Sequence, residues 1–196
     1  MVIGRFVRWV ISPLMRWVAR PPREDDPWER LSYEVKPRAF GRGSIHPFPW
    51  YFEGESTVEV KTVDDICAWL MECQYVPDPQ LFNESDFWQH PGTFERLRQG
   101  DCEDHALWAW RKLVELGVDA ELVSGTWQQP GGDQGGHVWV RFQQDGQYWI
   151  LESVTRDRER IVRPFADVKG EYIPHAGVDR DLKRHAYAGY LRGLEG

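Results

Sequence analysis

Cysteine is scarce in this chain of 196 residues: Cys67, Cys73 and Cys102 are the whole complement. Three thiols supply no disulfide framework, and they read as reduced residues of a cytosolic protein. No Cys-x-x-Cys pair occurs, which excludes a zinc ribbon. Positive charge is also short, with 24 Lys and Arg against 31 Asp and Glu. The net charge of −7 argues against nucleic-acid binding. No internal repeat or low-complexity tract is present, and no apolar run is long enough to span a bilayer. The glycines at 131, 132, 135 and 136 are followed by no Gly-Lys-Ser/Thr, so they make no phosphate loop.

Tryptophan, in contrast, is abundant at 11 residues. So many indoles either line a groove or pack a core, and packing is the commoner use. Residues 1–20 place Arg5, Arg8, Arg16 and Arg20 on one helical face and Ile3, Phe6, Val10, Leu14 and Trp17 on the other. Pro13 divides this basic amphipathic arm. The arm reads as neither a signal peptide nor a membrane span. Three uses stay open: packing on its own domain, docking onto a protein assembly such as a phage virion, or binding a membrane surface. The expected location is cytoplasmic or assembly-associated. Residues 21–59 read as a linker and an irregular aromatic-rich segment, 60–175 as the ordered domain, and 176–196 as a C-terminal helix.

Within the ordered part, Thr62 and Asp65 form a capping-box signal for a helix running to about Gln74. Cys67 and Cys73 fall on it as packing thiols. A second helix begins near Cys102, with Asp101 as N-cap and Gly117 as its stop. Strands are expected at 119–124, 137–143 and 147–153, the last two joined by the hairpin turn Asp145-Gly146. A tight turn there pairs Gln144 with Gln147, which sets Trp139 opposite Glu152. His137 and Glu152 then lie diagonally on one face, roughly 7–8 Å apart at the backbone. The opposite face carries Val138, Val140, Phe142, Trp149 and Leu151.

Cys102 in the first turn of a helix faces unpaired N–H groups and the positive end of the dipole, which favour a thiolate and a developing oxyanion. With a histidine and a carboxylate sharing one sheet face, the set has the parts of a thiol nucleophile, its base and the group that orients the base. The neighbours of Cys102 have the opposite effect: Asp101, Glu103 and Asp104 raise a thiol pKa. These carboxylates either serve the helix N-terminus or hold a cation. The spacing of Cys102 and His105 lacks a second ligand pair, so His105 reads as a packed histidine. Trp88 and Trp139 either line a substrate groove or pack.

The stretches GDCEDHA (100–106), GGHVWV (135–140) and YWILES (148–153), with DFWQHP (86–91) upstream, make residues 60–155 resemble the transglutaminase-like superfamily, in particular its bacterial cysteine peptidases. The resemblance implies an α+β, papain-like core with the cysteine on a helix packed against an antiparallel sheet. It implies Cys102 as nucleophile, His137 as base and Glu152 as orienter, where the family more often has Asp. It implies a peptide or protein substrate, an acyl-enzyme, and release by water (hydrolysis) or by an amine (transamidation). No cofactor is required, but Asp101 and Glu103 match positions that bind calcium in adhesin-cleaving members. The competing reading is a structural or interaction module that keeps the fold without the activity.

Overall fold

The computed structural model describes residues 26–31, 34–128 and 131–192. The amphipathic arm expected over 1–20 lies outside them. Helices and an antiparallel sheet are both present, as the α+β reading expects. After two short 3₁₀ turns, Pro37–Phe40 and Phe48–Phe52, comes helix α1 (Val63–Met71). Its capping box is the expected one, with Asp65 N–H donating to Thr62 Oγ1 at 3.1 Å and Thr62 N–H donating to Asp65 Oδ2 at 2.9 Å. The helix stops before Gln74, because Gln74 and Tyr75 form strand β1. Short helices α2 (Asp78–Leu81) and α3 (Pro91–Leu97) follow, then strand β2 (Gln99–Gly100), which pairs in parallel with β1.

Helix α4 (Cys102–Glu115) begins directly after β2. The main sheet is formed by β3 (Asp119–Gln128), β4 (Gln134–Gln144), β5 (Gln147–Leu151), β6 (Val162–Pro164), β7 (Tyr172–Val178) and β8 (Arg184–Ala186). A short helix, α5 (Phe165–Val168), links β6 to β7. The strand order is β6-β5-β4-β3-β7-β8, and every pairing is antiparallel. Asp145 and Gly146, at φ 53° and 75°, make the two-residue turn, so Gln144 pairs with Gln147 and Val140 with Leu151.

α4 covers the sheet face bearing Val138, Val140, Phe142 and Leu151, and Leu107, Trp108, Trp110 and Leu113 join them in the main core. Arg111 and Lys112 of α4 are buried as well, because the 48–60 segment wraps them. Arg111 donates to the carbonyls of Tyr51, Glu53 and Gly54, and Lys112 donates to that of Val58. The other sheet face has its own cluster of Trp28, Val123, Trp139, Ile150, Val168, Tyr172 and Tyr187. Trp28 belongs to the segment expected as linker. Arg30, two residues on, forms a bridge with Tyr187.

The C-terminal helix expected over 176–196 requires correction. Residues 176–178 end β7, Asp179 caps a turn by accepting the N–H groups of Asp181 and Lys183, and β8 returns beside β7. Leu182, at φ 62°, has no place in a helix. Only Gly189–Arg192 is helical among the described residues of this stretch. Among the described residues no helix is long and apolar enough to cross a membrane.

Candidate active site

The hairpin register decides the first part of the site. β4 carries His137, and Glu152 follows the last residue of β5, so their side chains meet. His137 Nε2 lies 2.8 Å from Glu152 Oε2 and 3.0 Å from Oε1. A carboxylate only accepts, so Nε2 carries the proton in this pair. Nδ1 bonds to no described residue, which leaves a lone pair for a proton. The imidazole sits against the Trp127 ring, with centroids 5.3 Å apart, and near Trp139 at 6.1 Å. Glu152 is buried and also accepts from the Tyr172 hydroxyl at 3.0 Å. Arg163 Nη2 donates to that hydroxyl at 3.3 Å. Trp127, Tyr172 and Arg163 carry no local sequence signal, because β7 reaches this point by pairing with β3, and β6 by pairing with β5.

Cys102 is the first residue of α4, with Asp101 at the N-cap. The close approach of β2 to the helix requires a glycine here. A Cβ on Gly100 would lie 2.3 Å from Asp104 Oδ2 and 2.7 Å from Gln89 Nε2. The Cys102 thiol donates to Glu103 Oε2 at 3.1 Å. The backbone N–H of Val138, next to His137, also faces the sulfur. Thus α4 and β4 bring the thiol beside the histidine's strand, while no hydrogen bond among the described residues joins sulfur to imidazole. Burial pushes the thiol pKa well above its ordinary value, and the charges of Glu103 and Asp101 push it further.

The acidic neighbourhood is larger than the local motif shows. Oxygens of Asp78, Asp101 and Asp104 converge, as do those of Asp78, Asp86 and Glu103, each set within 4.8 Å. Asp78 begins α2 and Asp86 lies in the loop between α2 and α3, and nothing near Cys102 in the sequence announces them. Burial raises the carboxyl pKa of Asp101, and those of Glu103 and Asp104 well above the usual range. Asp78 is raised to about 6 by burial and then by Asp101. Asp78 Oδ1 and Asp101 Oδ1 are buried without a hydrogen-bond partner. Carboxylate oxygens, some unsatisfied and all costly to ionise together, are a donor set that fits a hard divalent cation.

Two expectations require correction. Trp88 is 2% exposed and Trp139 0%, so neither lines a groove. Trp88 packs edge-on to Phe40 and Phe48, and Trp139 packs against Trp28 and Tyr172. His105 is the packed histidine expected: its Nδ1–H donates to Asp101 O at 2.8 Å, and burial lowers its pKa to about 4.

Residues 86–171 match the family model of the CEP76 peptidase-like domain. The chain resembles the transglutaminase-like cysteine peptidases. Among solved structures, calcium-bound LapG from Legionella pneumophila is 19% identical, with 66% of this chain and 71% of that one covered at a TM-score of 0.46. EGTA-treated LapG from the same organism is 20% identical, covering 66% and 69%, at 0.45. A candidate cysteine protease from Cytophaga hutchinsonii is 16% identical, covering 67% and 39%, at 0.42. A search of the curated proteins finds no match.

Proposed function

We propose that this protein is a thiol-dependent peptidase that works through Cys102, His137 and Glu152. The observation that carries the reading is the His137–Glu152 pair with Nδ1 unengaged, on the strand whose next N–H faces the Cys102 sulfur. Cys102 Sγ attacks the carbonyl carbon of a peptide bond, and its proton passes to His137 Nδ1. Glu152 stabilises the imidazolium through Nε2–H. The oxyanion accepts from N–H groups in the first turn of α4. The imidazolium then gives its proton to the departing amine as the C–N bond breaks, leaving a thioester. Water, deprotonated by His137, attacks that thioester and returns the sulfur. An amine in place of water would give transamidation by the same steps.

The acidic set bears on the first step. Asp78, Asp86, Asp101 and Glu103 would hold a calcium ion, which would offset the negative field at the sulfur. A second reading, an interaction module that keeps the fold, has its own support: the thiol donates to Glu103 and is held neutral by burial and charge. The two readings diverge under iodoacetamide at neutral pH with calcium present. The peptidase reading expects Cys102 to be labelled readily and His137→Ala to abolish it. Equal, slow labelling of both proteins refutes it and leaves the module.

A further inference from the structure

We propose that the outer edge of β1 is the substrate-binding edge: the main-chain N–H and C=O of Tyr75 pair with one residue of an extended peptide leading to Cys102. This rests on the peptidase reading and specifies how its substrate is held. In the β1–β2 ladder, Gln74 N–H donates to Arg98 O at 2.8 Å and Val76 N–H donates to Gly100 O at 2.9 Å. Tyr75 lies between them with Gly100 as its partner, so its own amide and carbonyl point away from β2. No described residue bonds to either group, and Tyr75 is 48% exposed. The other strand of the pair is closed off, because Gln99 O accepts from Gln89 Nε2 at 2.9 Å. β1 therefore offers an open edge, the feature to which extended peptides add as a further strand.

The position of this edge sets it apart from an ordinary solvated strand end. β2 runs directly into the nucleophile, with Gly100 two residues before Cys102. A peptide added at Tyr75 lies roughly 4.8 Å outside β1 and advances about 3.3 Å per residue. The Tyr75 ring lies over His105, one turn along α4 from Cys102, with centroids 6.5 Å apart and an interplanar angle of 29°. Its phenol pKa is raised to about 12, by burial first and then by Cys102, Asp101 and Glu103, so the ring reaches the field of the nucleophile. Phe87 is also exposed, and its N–H donates to Asp78 Oδ2 in the acidic set. Main-chain pairing with apolar flanks fits an extended peptide rather than a small amide.

The test uses acetyl-Ala-Ala-Ala chloromethyl ketone and analogues N-methylated at each internal nitrogen in turn, reading the rate of Cys102 alkylation. Methylation at the pairing nitrogen is expected to slow the reaction by roughly tenfold, the order expected from losing one main-chain hydrogen bond. Tyr75→Pro removes a donor that no described residue uses, and its predecessor already lies in a strand. In Tyr75→Pro the plain ketone should itself slow by roughly tenfold, because the residue-75 N–H no longer donates to the peptide carbonyl, while the methylation ratio, which reports the residue-75 carbonyl, is kept. Tyr75→Ala keeps the amide and should keep the ratio. Equal rates for all the ketones on the natural protein, or a plain ketone that alkylates Tyr75→Pro as fast as the natural protein, overturns the proposal. Iodoacetamide labelling that ignores His137→Ala removes the peptidase reading and this proposal with it. Labelling that needs His137, with no ketone slowed, removes this proposal alone.

Discussion

Replacing Glu152 by Gln tests the proposed mechanism at its most exposed step. In the resting protein, His137 Nε2–H points at a buried carboxylate, 2.8 Å from Oε2. An amide of nearly the same volume can still accept that hydrogen, so the packing against Tyr172 is kept. The negative charge is lost, and with it the stabilisation of the imidazolium formed when the thiol gives up its proton. Hydrogen bonds to charged groups are worth about 1.5–3 kcal/mol. At about 1.4 kcal/mol per factor of ten, acylation should slow by roughly ten- to 150-fold. Glu152→Asp keeps the charge and shortens the reach by one methylene, so its rate should fall between the two. Tyr172→Phe removes one donor from the carboxylate at 3.0 Å and should cost only a few-fold. The assay is the burst of nitrophenol from p-nitrophenyl acetate, counted against Cys102→Ala. A Glu152→Gln burst within twofold of the natural protein would refute the orienting role, even if Cys102 proved to be the nucleophile.

Two further outcomes follow from the charges. Glu103→Gln removes the carboxylate that accepts the Cys102 thiol hydrogen, so the thiol pKa should fall. The added thiolate outweighs the accompanying loss of nucleophilicity, so reaction with an aromatic disulfide in EGTA should quicken several-fold. Cys67 and Cys73, raised to about 11 and 12 by burial, contribute only a slow background; an unchanged or slower rate contradicts the field argument. On the far side of the sheet, burial raises the Glu121 pKa, but the His185 hydrogen bond with Arg141 and Arg30 outweighs it and lowers the value to about 2. A depressed carboxylate stabilises the fold above its unfolded pKa and loses that contribution as pH falls through its folded one. Roughly 3 kcal/mol should therefore disappear between about pH 5 and pH 2, and Glu121→Gln should flatten that limb of a urea-midpoint titration. A variant with an unaltered acid limb would show that Glu121 is not its source.

Local chemistry carried the reading where contacts are close in sequence. Thr62 and Asp65 cap α1 because both partners lie within one turn. Asp145-Gly146 fixes a register, and register alone brings His137 to Glu152. The stretch after Val178 reads as helix from its spaced charges. Its actual order is set by pairing with β7 and by a partner 64 residues away. His185 and Tyr187, two apart as strand side chains are, both point at Glu121. That alternation is visible in the sequence, but Glu121 as its destination is not.

The same division explains the site. The proposed nucleophile, base and orienting carboxylate, Cys102, His137 and Glu152, lie on one helix start and one hairpin, so short motifs suffice to mark them. The groups that set their electrostatics come from elsewhere: Asp78 from the start of α2, Asp86 from the loop that follows it, Tyr172 from β7. They act in opposite directions. Tyr172 donates to Glu152, the carboxylate that serves the base, whereas Asp78 and Asp86 deepen the negative field around the thiol. Under the proposed mechanism, a supported base and a suppressed nucleophile in one site make the reactivity of Cys102 depend on the net charge of the acidic set. Neutralising that set, by a cation or by protons, lowers the cost of the thiolate.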